Sequence, residues 1–190
     1  LPRSANDYSP ANLMMPRGAI IDGNLSEVQD IDLGKLDEIQ EYVTHSWYKY
    51  GDEQVGLHPY EGETVPNFDI GGAKGTKTRI EAVDESAKYS WVKSPRWKGH
   101  AMEVGPLARY VVAYARGNKE IQEQVNGALK ALDVPIGALF STLGRTAARG
   151  LEAQWAAHKM KYFHDQLMAN IKAGDLSTAK PACSTLFLWS

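Results

Sequence analysis

The chain has 190 residues, 43% of them hydrophobic, and a formal net charge of -2 at pH 7. This length and composition are typical of a globular protein that can bury a substantial core. The near-neutral charge gives no electrostatic indication of nucleic-acid binding, and no apolar run approaches the ~20 residues that a membrane-spanning helix needs. A single cysteine, Cys183, excludes an internal disulfide and a thiolate-rich metal site built by these residues alone.

The first 50 residues contain one turn signal and one periodic segment. Residues 1–16 are rich in Pro, Ser and Asn and predict irregular structure, whereas Asp22-Gly23 predicts a tight turn within a short hairpin over Arg17–Asp32. Asp32 is a suitable N-cap for a helix over Leu33–Tyr48, whose apolar residues recur at steps of three and four. His45 on that segment is interpreted as a hydrogen-bonded structural residue, because no partner for a metal lies near it in the sequence.

The next stretch, Gly51–Lys88, has the Gly and Pro content of a long irregular excursion. Thr76–Val83 is its best candidate for a strand. Asn67–Gly75 superficially suggests a phosphate-binding loop, but it lacks the glycine and lysine spacing of one and no strand-then-helix frame surrounds it. We therefore reject that interpretation.

The stretch Tyr89–Arg109 combines aromatic side chains with a dense group of cations and a single acid, Glu103. Gly105-Pro106 predicts the N-cap and first residue of a helix, because proline at that position loses no required N–H. Glu103 would then lie at the positive end of the helix dipole. Physical chemistry alone leaves two interpretations of Glu103 open, a helix cap and a functional acid.

Three helices are predicted to follow, over Pro106–Arg116, Lys119–Leu132 and Ile136 to about Lys172, with Gly117 and Asn118 marking the first boundary. The small residues of the third, Gly150 among them, predict close approach of a neighbouring helix. His158 and His164 lie six residues apart and are poorly spaced to share a metal. The expected fold is predominantly α, with long helices packed as a bundle and a small β appendage.

The sequence contains no recognised active-site motif. HExxH, a GxSxG elbow, a dinucleotide fingerprint and an EF-hand loop are all absent. Five stretches nevertheless resemble, in order, the central part of the large subunit of nickel-iron hydrogenases. They are RGAIIDGNL (Arg17–Leu25), HSWY (His45–Tyr48), LHPYEGETVP (Leu57–Pro66), YSWVKSPRW with MEVGPLARYVVAYA (Tyr89–Ala115), and LGRTAARGLE (Leu143–Glu152).

The resemblance implies that residues 1–180 are a central segment of a longer large-subunit domain and that residues 181–190 are a divergent or foreign tail. The family binds a Ni-Fe centre, with CO and cyanide on the iron, through four cysteines in two CxxC pairs. Neither pair occurs here, so the resemblance assigns no metal ligand and no catalytic residue to this chain. Lys93 and Glu103 match buried charged positions of the family near its Mg site and water chain. We expect Lys93 and Glu103 to converge there as supporting residues that do not bind the metal themselves.

The resemblance further implies an uptake hydrogenase that oxidises H2 reversibly to protons and electrons and passes the electrons to an iron-sulfur small subunit. The alternative is a non-catalytic helical scaffold related to the hydrogenase-like subunit of complex I. The expected location is the periplasmic side of the membrane, bound through partner subunits and without direct insertion, and a cytoplasmic location stays open. Neither interpretation involves nucleic acid.

Overall fold

The computed structural model describes residues 15–49, 56–62, 64–66 and 88–175. The chain divides into two compact units, a helical unit formed by Leu1–Ile31 with Gly105–Ser190 and a sheet unit formed by Asp32–Val104. The predicted strand Thr76–Val83, the loop Asn67–Gly75 and the tail 181–190 lie outside the described residues. No helix in the described part of the chain is long and apolar enough to cross a membrane.

The helical unit begins with the tight turn that Asp22-Gly23 predicts. Both residues have positive φ, 52° and 70°, as a type I′ turn requires. The turn is closed by the Asn24 N–H, which donates to the Ile21 carbonyl at 3.0 Å. Ala19 and Gln29 pair in an antiparallel bridge, so the two arms of the predicted hairpin meet at one residue pair.

The predicted helix over Leu33–Tyr48 is wrong. A 3₁₀ turn at Leu36–Glu38 leads into strand β1 (Ile39–Tyr42), and strand β2 (Tyr48–Lys49) follows. Asp32 does not cap a helix, because its Oδ1 accepts from the Gly34 N–H at 2.9 Å in a local turn. The apolar spacing fits a helix, but Ile, Val and Tyr also favour strands, and a distant strand decides the outcome by pairing with β1.

That distant strand is β4 (Ser94–Trp97), which follows the two-residue strand β3 (Val65–Pro66) in the sequence. It pairs antiparallel with β1, with Tyr42 opposite Ser94, and with β5 (His100–Ala101) on its other side. Lys98 and Gly99 form the turn between β4 and β5 with φ of 50° and 79°. Strands β2 and β3 form a separate antiparallel pair.

Two of the predicted helices are confirmed almost residue for residue. Helix α1 is Pro106–Ala115, with Gly105 as N-cap and proline at its start. Helix α2 is Lys119–Leu132, and the side chain of its N-cap Asn118 accepts from the Ile121 N–H at 3.2 Å.

The third predicted helix is divided. A 3₁₀ turn covers Ile136–Phe140, and helix α3 is Thr142–Lys172. The interruption falls at Ser141, which has extended backbone and whose hydroxyl caps α3 by accepting from the Gly144 N–H at 3.0 Å. With 31 residues, α3 is about 46 Å long.

The core of the helical unit joins α1, α2 and the first half of α3 around buried Tyr110, Ile121, Val125 and Trp155. The close packing predicted for the small residues of the third helix occurs at Gly144, where an added Cβ would overlap the Leu139 carbonyl oxygen, but not at Gly150, where it would meet nothing within 4 Å. Every residue of α3 beyond Lys159 is exposed. Three helices and a small sheet agree with the predicted class, but the described residues do not form a bundle of long helices.

Candidate functional site

Lys93, one of the two residues singled out from the sequence, is held by three contacts in the sheet unit. Its Nζ lies 2.7 Å from Glu41 Oε1 and 3.0 Å from Thr64 Oγ1, and 5.2 Å from the centre of the Tyr48 ring. The Lys93 and Glu41 side chains are only 16% and 13% exposed. Removal of either partner would therefore leave a largely desolvated charge without its counter-ion.

Glu103 lies at an exposed position three residues before α1. The N-cap of α1 is Gly105, which has no side chain to form a capping hydrogen bond. Among the residues that the structure describes, the recorded carboxylate partner of Lys93 is Glu41. Glu41 is thus an acidic partner of Lys93 that the sequence did not suggest, and the antiparallel pairing of β1 and β4 brings residue 41 beside residue 93.

An aromatic cluster adjoins this ion pair. Trp91 packs at 5.2 Å from Trp47 and at 5.4 Å, edge on, from Tyr48, the ring that also lies under the Lys93 ammonium. These rings limit the access of water to one side of the pair. His45, which the sequence predicted to be a hydrogen-bonded structural residue, stacks its ring on Tyr89 at 5.2 Å. Its carbonyl accepts from the Tyr89 N–H at 3.2 Å.

A second feature of the sheet unit is a cavity of about 350 Å³. Its walls come from the end of β1, from the 44–46 and 89–92 segments, and from β4; the lining residues are Tyr42, Thr44, His45, Ser46, Tyr89, Ser90, Val92, Ser94 and Arg96. Lys88 lies beside it, buried, with its Nζ donating to the Thr44 carbonyl at 3.2 Å. Burial lowers the pKa of the Lys88 ammonium, because desolvation disfavours the charged form.

The helical unit contains its own polar contacts. Arg109 and Glu152 form a bidentate ion pair between α1 and α3, with N–O distances of 2.6 and 2.8 Å. The buried Tyr110 hydroxyl donates to Gln124 Oε1 at 2.9 Å. Desolvation, followed by the negative charges of Glu152 and Glu120, raises the pKa of Tyr110 to about 12. These contacts tie three helices together and do not converge on a cavity recorded for that unit.

The described residues do not fit a metal centre: no group of three or more His, Cys, Asp or Glu side chains converges among them. His164 Nδ1 lies 3.4 Å from Asp165 Oδ1 on an exposed face of α3. Cys183 lies outside the described residues. We therefore assign no chemical step at a metal to the side chains described here.

The sequence did not identify the three residues that contact the Lys93 ammonium, which are Glu41, Thr64 and Tyr48. Glu41 is 52 positions from Lys93, and its proximity depends on strand pairing. The alternation of Gln40, Glu41 and Tyr42 in a short strand would have placed Glu41 on one face, if the strand itself had been recognised.

The family model, the curated relatives and the solved structures that resemble this chain all carry hydrogenase names. Residues 1–186 match the family model described as nickel-dependent hydrogenase. Over 180 residues the chain is 63% identical to the uptake hydrogenase large subunit of Bradyrhizobium diazoefficiens and 61% identical to that of Rhizobium leguminosarum bv. viciae, covering 94% of this chain and 30% of each relative. A solved NiFeSe hydrogenase from Dm. baculatum aligns with a TM-score of 0.50 and 27% identity over 81% of this chain and 28% of its own.

Proposed function

The chain belongs to the nickel-dependent hydrogenase family, and we propose that it is a segment of the catalytic large subunit of an uptake hydrogenase. The full-length subunit would oxidise H2 reversibly to two protons and two electrons. The observation that carries the proposal is the 63% identity to a protein named as an uptake hydrogenase large subunit, sustained over 94% of this chain.

The chain spans about 30% of the length of the curated relatives it matches, so most of such a subunit would consist of other residues. In this proposal the Ni-Fe centre, with CO and cyanide on iron, and the Mg ion are held by those other residues. The present segment contributes scaffold. The relatives and the solved structure carry hydrogenase names, so the alternative of a non-catalytic complex I-type scaffold has no support among them.

An iron-sulfur small subunit is the proposed electron acceptor, because a metal centre that splits H2 must pass its electrons to a redox partner. The proposed location is the periplasmic side of the membrane, reached through partner subunits.

Lys93 and Glu103 are proposed to support the centre without binding it. The Lys93–Glu41 pair, largely shielded from water and bonded to Thr64, has the rigidity that such a supporting residue needs. For Glu103 the proposal is that its carboxylate orders a proton-carrying water chain in the complete enzyme. Its exposure in the described residues is compatible with water beside it.

Glu103→Gln provides the test of that role. In the assembled enzyme we expect this variant to keep its nickel content and melting temperature, since the amide is isosteric with the carboxylate, but to oxidise H2 more slowly. Glu123→Gln, at an exposed position on α2, is the matched control and should keep the wild-type rate. Equal rates in wild type and both variants would rule out the proton role of Glu103.

The proposed activity itself is tested by co-expressing the full-length gene with the gene for a small subunit and measuring H2-dependent reduction of a dye by the purified complex. We expect turnover that depends on both subunits. A pure complex with no H2-dependent reduction, after anaerobic reductive activation, would contradict the proposal.

A further inference from the structure

The paired strands β1 and β4 sort their charged side chains onto two faces. Successive side chains of a strand point to opposite faces, and residues paired across an antiparallel ladder share a face. Glu41 lies on one face and reaches Lys93. Arg96, opposite Gln40, lies on the other face with Ser94 and Tyr42. Glu41, the acidic residue of β1, therefore lies on the same face as Lys93 and points away from Arg96.

The face that carries Arg96 borders the 350 Å³ cavity. The Arg96 guanidinium lies 4.7 Å from the centre of the Tyr42 ring, and its Nη1 donates to the Pro95 carbonyl at 3.0 Å. A guanidinium has five N–H donors. The recorded bond to Pro95 leaves most of these donors available, and the Tyr42 ring holds the group in place beside the opening.

No carboxylate lines this cavity among the residues that the structure describes. Its polar lining residues carry mainly hydroxyl groups, beside His45 and Arg96. The Ser90 hydroxyl oxygen accepts from the Val92 N–H at 2.8 Å, so the Ser90 proton can still be donated into the cavity. The buried Lys88 ammonium adds a second positive charge behind Thr44. Two cations beside a cavity whose described lining residues include no carboxylate favour a negatively charged occupant.

We propose that this cavity binds a small oxyanion, with the Arg96 guanidinium as the charged donor and the Ser90 and Ser94 hydroxyls as neutral donors. Phosphate, sulfate and small carboxylates share the required chemistry, a compact anion with several oxygen acceptors. A guanidinium is well suited to such anions because it donates two parallel hydrogen bonds to adjacent oxygens. This binding is independent of H2 oxidation and of any metal.

Equilibrium dialysis of the assembled full-length enzyme against radiolabelled phosphate tests the proposal, at about 0.15 M NaCl to screen non-specific attraction. We expect saturable binding to one site per chain. Competition with unlabelled sulfate and with acetate distinguishes a site for tetrahedral anions from one for carboxylates. Arg96→Gln is expected to weaken binding about tenfold or more, the loss typical of a charge-assisted hydrogen bond.

Arg149→Gln removes the same charge from an exposed position on α3 and should bind phosphate as the wild type does. Ser94→Asp provides a second, independent variant: it places a tethered carboxylate on the face of Arg96 and should abolish phosphate binding without lowering the melting temperature. Absence of saturable binding of all three anions would overturn the proposal, as would wild-type affinity in Arg96→Gln. If Arg96→Gln does not fold, undiminished phosphate binding by Ser94→Asp overturns it equally.

Discussion

Lys93 has a structural role that does not depend on any assignment of function. Its ammonium contacts a carboxylate, a hydroxyl and an aromatic ring, and it draws these partners from β1, β2 and the segment before β3. A single side chain thus ties β1 to the region of the β2–β3 pair.

Lys93→Ala is expected to destabilise the β1–β4 pairing by about 3 kcal/mol, because Glu41 would keep a largely buried charge without its partner. Hydrogen exchange of the β1 and β4 amides in the assembled enzyme measures the change as faster local opening. Lys35→Ala is the matched control in the same unit, since Lys35 pairs with Glu38 at 3.6 Å with its own side chain 58% exposed. Lys35→Ala should lower the local stability by about 1 kcal/mol or less. Equal effects of both variants would show that burial of the Lys93 pair is unimportant.

Tyr110 gives the helical unit a specific dependence on pH. Its pKa is raised from 10.0 to about 12 in the folded chain, so the unfolded chain loses the phenolic proton first as the pH rises. The contribution of Tyr110 to stability is complete below pH 10 and is lost between about pH 10 and 12. In Tyr110→Phe, denaturation measured across this range should show a shallower decline in the free energy of unfolding. Tyr162→Phe, at an exposed position on α3, should keep the wild-type decline, and equal slopes in both variants would contradict this assignment.

At the scale of elements, the sequence predicted the helix boundaries that are determined by residues close together in the chain. Pro106 begins α1, Gly117 with φ of 78° ends it, and Asn118 caps α2; each signal acts within one turn of helix. Strand β1 could not be identified in this way. Its apolar spacing fits a helix equally well, and its strand conformation depends on pairing with β4, more than 50 residues away.

The start of α3 was also missed for a non-local reason. A continuous helical period runs through Phe140 and Leu143, but the chain extends at Ser141 so that Leu139 can enter the core beside Gly144. Glycine is required at position 144 because the Leu139 backbone occupies the space of a side chain.

Gly144→Ala and Gly150→Ala form a matched pair on one helix. In Gly144→Ala the new methyl would overlap the Leu139 carbonyl, and we expect a loss of about 1–3 kcal/mol in the free energy of unfolding. In Gly150→Ala it would enter open space, and helix propensity predicts a gain of up to about 1 kcal/mol. Differential scanning calorimetry of the assembled enzyme should give melting temperatures that move in opposite directions. A shift of the same sign in both would contradict the packing at Gly144.

At the scale of the whole molecule, no convergent set of metal ligands is found among the described residues. The family assignment depends on co-linear identity along 94% of the chain. The sequence predicted this family from five motifs and also predicted that the metal ligands lie elsewhere, because four thiolates cannot come from one cysteine.

Nickel content is the most direct test of the proposal that this chain is a supporting segment of a nickel-dependent catalytic subunit. The measurement is metal analysis of the full-length subunit, co-expressed with its small subunit, beside the same analysis of the 190-residue chain alone. We expect about one nickel per full-length subunit and none held stoichiometrically by the isolated chain, since binding requires convergent deprotonated ligands. A full-length complex without nickel, or an isolated chain that tightly binds about one nickel, would contradict the account.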